Sequence, residues 1–192
     1  MAIIPKGWAL VKLGDVTRLR KSKIDPNDFP PIPFIGLEDV EAHTGELLNI
    51  KSTLGLKSAV TLFEKNDLLY CKLRPYLNKV LVSSIKGAAS AEFLIFQPTP
   101  LIEQRYLQLT LMTKEFVDFT GLISSGDRPR VTYEGISKFS FPIPPLEEQK
   151  RILSIVDLVL EKTKRQTNFY QLYRILLKSI NKRFLILHLM AI

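Results

Sequence analysis

Apolar residues follow two different rhythms along this chain, and the change falls near residue 145. Before it, short apolar runs are punctuated by Gly, Pro, Asn and Asp, as strands and turns require. Strands are expected around 9–13, 33–36, 47–50, 59–63, 67–73, 79–82 and 91–96. The segment 101–120 lacks Gly and Pro and carries Leu107, Leu111, Phe116 and Phe119, so it reads as one helix with Gly121 at its stop. A polar loop over 124–130, a short turn-helix element and the apolar stretch 139–145 follow. Short strands mixed with a few helices predict an α+β domain over residues 1–145.

All twelve prolines lie at or before Pro145, and the remaining 47 residues contain neither Gly nor Pro. That part reads as a single long helix, 146–192. Val156, Val159, Thr163, Gln166, Tyr170, Tyr173, Leu177, Ile180, Phe184 and Leu187 alternate spacings of three and four, the seam of a coiled coil. About 40 helical residues would extend roughly 60 Å, farther than one small domain reaches, so the seam predicts a partner helix. The plainer alternative is an amphipathic helix lying on its own domain.

Charge then narrows the partners. Twenty-seven Lys and Arg against nineteen Asp and Glu leave a net charge of +8. Such an excess favours a polyanion, nucleic acid first and an anionic membrane second. The apolar tail 184–192 is too short to span a bilayer, which takes about 20 residues, and no secretory signal is legible at the start. Cys71 is the sole cysteine, so an intrachain disulfide and a multi-cysteine zinc site are both excluded; a cytoplasmic protein is expected.

Catalytic signatures fail in turn. There is no G-x-G-x-x-G, no phosphate-binding loop, no G-x-S-x-G elbow and no H-E-x-x-H, so neither cofactor nor metal is expected. His43 sits in a polar turn, His188 in the apolar tail, and Cys71 in an apolar strand where a buried thiol is the simpler reading. Glu38, Asp39, Asp67 and Glu92 could supply a metal-dependent nuclease site, and Glu148-Gln149-Lys150 spells a fragment of one. That fragment is common by chance, and it stands at a helix N-terminus, where Glu147 and Glu148 complement the macrodipole. A non-catalytic binding protein is the expectation.

Three clusters suit a DNA-facing surface. The first is Arg18, Arg20, Lys21 and Lys23. The second is Lys72, Arg74, Tyr76, Asn78 and Lys79, with Lys72 and Arg74 on one face if the strand continues through them. The third is Ser124 and Ser125 with Arg128 and Arg130 in the polar loop. Arg reads guanine and Asn reads adenine through paired hydrogen bonds, while Lys and Ser mostly hold phosphates. Simple solvation of these charges is the alternative in each case.

Five segments, taken in order, resemble the DNA specificity (S) subunits of type I restriction-modification systems. They are GWALVKLGDV, PFIGLEDVEAHTGEL, FEKNDLLYCKLRPYLNKV, AEFLIFQP and SSGDRPRVTYEGISKFSFPIPPLEEQKRIL. The last is the most specific, joining an apolar strand to Pro-Pro-Leu and then to Glu-Gln at the start of a long helix. The resemblance implies a target recognition domain over 1–145 that reads half of a split site in double-stranded DNA. It implies a spacer helix after it, and methyltransferase and restriction subunits as partners that carry the chemistry. A full S subunit has two recognition domains and two spacers, so this chain resembles half of one. An antiparallel homodimer through the C-terminal helix is therefore expected, with Val156, Val159, Tyr170, Tyr173, Leu177, Ile180, Phe184 and Leu187 at its seam. The competing readings are a coiled-coil adaptor that binds protein and a small metal-dependent nuclease.

Overall fold

A computed structural model describes residues 4–164. The seam positions Gln166, Tyr170, Tyr173, Leu177, Ile180, Phe184 and Leu187, together with His188, lie outside the described residues. In chain order the strands are β1 (Ala9–Lys12), β2 (Arg18–Leu19), β3 (Lys23–Ile24), β4 (Pro33–Ile35), β5 (Lys51–Ser52) and β6 (Val60–Phe63). They continue as β7 (Leu68–Cys71), β8 (Val80–Val82), β9 (Gly87–Ser90), β10 (Phe93–Gln97) and β11 (Ser140–Ile143). The helices are α1 (Leu13–Val16), α2 (Gln104–Leu111), α3 (Lys114–Ile123), α4 (Tyr133–Ile136) and α5 (Leu146–Lys164). The domain is α+β, as the pattern predicts.

The described residues form three sheets. β1 pairs with β11, tying the start of the domain to the strand that feeds α5. An antiparallel sheet runs β2-β10-β7-β8, and a second runs β3-β6-β9-β4-β5, parallel only between β4 and β9. β7 explains why the sequence around it is apolar without alternation: Leu68, Leu69, Tyr70 and Cys71 are all buried because both faces of the strand are covered. Leu68 and Tyr70 pack with Leu107, Phe116 and Ile136 of the helical layer, whereas Leu69 and Cys71 pack with Ile35, Phe63 and Ala89 of the other sheet.

The structure departs from several expectations. The segment 101–120 is two helices, because the Thr113 hydroxyl accepts from Phe116 N at 3.3 Å and caps a new start. Gly121 lies inside α3, which continues to Ile123. In 47–50 only Leu47 makes a bridge, to Val40, and the strand is the next pair, Lys51–Ser52. The strand expected over 67–73 ends at Cys71, so Lys72 and Arg74 are not held on one strand face. β2, β3 and β9 arise where no strand was expected.

α5 begins as part of the domain. Gln149 is fully buried; its side chain accepts from Glu103 N at 2.8 Å and donates to Pro144 O at 2.9 Å. Val156 joins the helical-side core, with Ile152, Leu153 and Leu160 packed against it. The seam's first member is thus buried against its own domain.

Candidate nucleic-acid interface

At the end of β7 the chain makes a second, smaller pairing. Lys72 N donates to Glu92 O at 2.9 Å, and Val131 N donates to Lys72 O at 3.0 Å. Leu73 and Arg130 form an antiparallel bridge, and Arg74 N donates to Pro129 O at 2.7 Å. The polar loop is thereby stitched to the strand end by its backbone. Arg74 and Asn78, with φ of 50° and 46°, bracket a 3-10 turn, Pro75–Leu77. Left-handed backbone at non-glycine residues is uncommon and costs of order 1 kcal/mol or more, so the turn is held by its surroundings.

This stitching brings the second and third clusters onto one surface. Arg74, Arg128 and Arg130 are exposed, Lys72 is half-buried, and Tyr76 keeps 51% of its surface open. Ser125 is exposed and Ser124 half-buried. Arg130 is not a lone cation, since its Nη2 donates to Glu92 Oε1 at 2.8 Å.

Other members of the clusters are spent inside the fold. Asn78 is buried, and its amide donates to Met112 O at 3.2 Å. Lys79 Nζ donates to Leu37 O at 2.7 Å. Arg20 forks onto Asp67, its Nη2 at 3.0 Å from Oδ1, and Asp67 also accepts from Glu64 N at 2.8 Å. The hydrogen bond to Asp67 raises the Arg20 pKa above its ordinary value. Arg18, Lys21 and Lys23 remain exposed, on or beside β2 and β3, which are edge strands of the two larger sheets.

The carboxylates considered for a nuclease do not assemble. Asp67 and Glu92 flank opposite ends of β7, because that strand runs antiparallel to β10 with Phe96 opposite Leu68 and Phe93 opposite Cys71. Glu38 pairs with Lys51, which also lies 3.2 Å from Asp39. Among the described residues no three His, Cys, Asp or Glu side chains come together as metal ligands. Burial pushes the Cys71 thiol up from its ordinary pKa, which disfavours the thiolate. Among the described residues no helix is long and apolar enough to cross a membrane.

The signal missed in the sequence was the backbone clasp. Leu73, Pro129 and Val131 carry no charge, and their pairing is set by tertiary register. Glu92 was weighed only as a metal ligand, and its role as the partner of Arg130 depends on the same register.

The described residues thus join a mixed-sheet domain, with exposed arginines gathered at one strand end, to a helix that leaves from β11. Residues 5–171 match the family described as type I restriction modification DNA specificity domain, and the chain belongs to that family. It is 27% identical over 157 residues to the type I restriction enzyme EcoDI specificity subunit of Escherichia coli, covering 80% of this chain and 35% of that protein. It is 28% identical over 174 residues to the HindI specificity subunit of Haemophilus influenzae, covering 85% of this chain and 38% of that one. The chain therefore spans little more than a third of the length of these relatives. The crystal structure of the HsdS subunit from Thermoanaerobacter tengcongensis shares the fold, with a TM-score of 0.75 at 20% identity over 85% of this chain and 45% of that one. A chain from a structure concerned with assembly and conformational transition of the type I R-M system gives a TM-score of 0.74 at 21% identity, covering 86% of this chain and 45% of its own.

Proposed function

We propose that this chain is a DNA specificity subunit, without catalysis or cofactor of its own, that directs methyltransferase and restriction subunits of a type I complex to a split target. Residues 1–145 form the reading domain. Lys72, Arg74, Tyr76, Arg128 and Arg130 form its reading surface, with Arg18, Lys21, Lys23, Ser124 and Ser125 as phosphate contacts. The helix from residue 146 is the spacer, and two copies join through it. The chain works in the cytoplasm.

The observation that carries this reading is the clasp between Leu73 and Arg130. A free loop loses conformational entropy when it orders on DNA; a loop already bonded to a strand end presents its arginines at lower cost. Base discrimination needs such fixed geometry, whereas attraction to phosphates does not. By contrast, an adaptor that binds protein has no need for three exposed arginines around a paired backbone.

Selection from a library of random duplexes, followed by anisotropy over a salt series, tests it. An enriched sequence is expected, with log affinity falling against log salt by about 0.9 for each phosphate contacted. Arg128→Ala should cost about 1–3 kcal/mol on that sequence if the arginine reads a base. Binding that ignores salt, or no duplex binding at all, would favour the protein adaptor.

A further inference from the structure

Two carboxylates stand among these cations, Asp127 in the exposed loop and Glu92 at the strand end. Glu92 lies between β9 and β10, and its backbone carbonyl, not its side chain, receives the Lys72 N–H that holds the strand end. Among the described residues the side chain accepts one hydrogen bond, from Arg130, through Oε1. Its Oε2 is buried and, among the described residues, has no hydrogen-bond partner, while 26% of the side chain stays exposed. A carboxylate normally takes several donors, so this one is underused as an anchor. Arg130 in turn has five N–H donors, of which the pair occupies one, and 52% of its side chain is exposed.

An all-cation surface binds every duplex through its phosphates. Discrimination is a difference of affinities, and a repulsive element aimed at the wrong contact is one way to obtain it. A phosphate approaching Arg130 would be repelled by the Glu92 charge beside it, whereas a neutral base edge would carry no net charge to repel. The same hydrogen bond limits the directions in which the guanidinium fork points. We infer that Glu92 is a specificity-determining positioning residue, which orients Arg130 for a base edge and keeps it from serving as a general phosphate contact. This rests on the DNA-reading function proposed above and deepens it.

The test uses the full chain and a duplex of random sequence, with anisotropy over a salt series and a thermal melt of each variant. Glu92→Gln should bind that duplex about threefold to tenfold more tightly at low salt, with a slope steeper by about 0.9, one further phosphate. Glu92→Asp, which keeps the charge, should retain the wild-type slope. In an Arg130→Gln background, Glu92→Gln should change nothing. A folded Glu92→Gln protein with the wild-type slope overturns the inference, as does an effect that persists without Arg130. If Glu92→Gln does not fold, Arg130→Gln alone decides: a wild-type slope on random DNA supports the inference, and a slope shallower by about 0.9 overturns it. Wild-type protein that binds no duplex defeats the DNA-reading function itself, an outcome distinct from wild-type binding that Glu92→Gln leaves unaltered.

Discussion

Arg20 shows how a residue that looks like a DNA contact in sequence acquires a different duty in the fold. Its guanidinium is the fork that neutralises Asp67, whose side chain is fully buried. Taking one partner from such a pair leaves a buried charge uncompensated, which costs about 3–5 kcal/mol when both are deep and less here, where Arg20 is 24% exposed. Arg20→Ala is expected to lose about 2–4 kcal/mol in urea unfolding, with the salt slope of DNA binding unchanged. Arg18→Ala, its exposed neighbour, should do the reverse. Glycines give a second contrast. Gly45 has φ of +69°, and a Cβ there would stand 1.9 Å from Val80 O, a backbone atom that cannot swing aside. Gly45→Ala should cost about 2–4 kcal/mol, combining left-handed strain with overpacking. Gly55, with φ of +80° and nothing within 4 Å of its would-be Cβ, should show the strain alone, about 1 kcal/mol for Gly55→Ala. Thermal melts of the two variants measure the difference. In sequence both glycines simply mark turns, and only the neighbour across the fold separates them.

Among the elements, those whose pattern is local were legible and those set by pairing were not. β7 announced itself through its apolar run, and the helix after Pro145 through the loss of Gly and Pro. β2, β3 and β5 are two residues each and exist because neighbours offer backbone partners: Leu19 to Phe96, Lys23 to Thr61, Phe34 to Lys51. The division of 101–120 was visible in principle, since Thr113 is followed by Lys114 and Glu115, an N-cap with an acidic residue in the first turn. Long apolar periodicity outweighed it. Gln149 is the least legible of all, being a polar residue at a helix start that a sequence places in solvent. Its amide satisfies Glu103 N at the N-cap of α2 and the carbonyls of Pro144 and Leu101, so two helix starts share one side chain. Gln149→Leu keeps the bulk and strands those backbone groups, each worth about 1–3 kcal/mol when left unsatisfied. The expected loss is about 2–4 kcal/mol by urea unfolding, with earlier hydrogen exchange at α2 and α5 than in β7. Equal protection everywhere would mean that Gln149 does not join the two helices.

For the whole molecule the decisive question is what covers the apolar stripe that follows α5 in sequence. Val156 is buried in the domain core and Leu160 packs on it, while Leu158 on another side of α5 is 51% exposed. Contacts within the domain thus account for the first turns of the apolar stripe, and the domain's own size limits how much farther they extend. The stripe continues in sequence through Tyr170, Tyr173, Leu177, Ile180, Phe184 and Leu187. Left in water, an apolar stripe of that length would be an aggregation liability, and a second copy is the simplest cover. In the proposed dimer, a closed twofold with antiparallel helices would place the two reading domains at opposite ends, so that both arginine surfaces could meet one duplex at separated positions. Two identical readers related by that axis would select an inverted repeat, with the helices setting the unread gap between its halves. Light scattering on the full chain should therefore give twice the 21.9 kDa of a single copy at micromolar concentration. Leu177→Lys with Ile180→Lys should return it to one copy while leaving the thermal unfolding of the domain in place. The same double variant should keep affinity for a single half of the selected repeat and lose the preference for both halves at fixed spacing. A chain that is monomeric before and after those substitutions would rule out self-association through the helix and assign its apolar stripe to a different subunit.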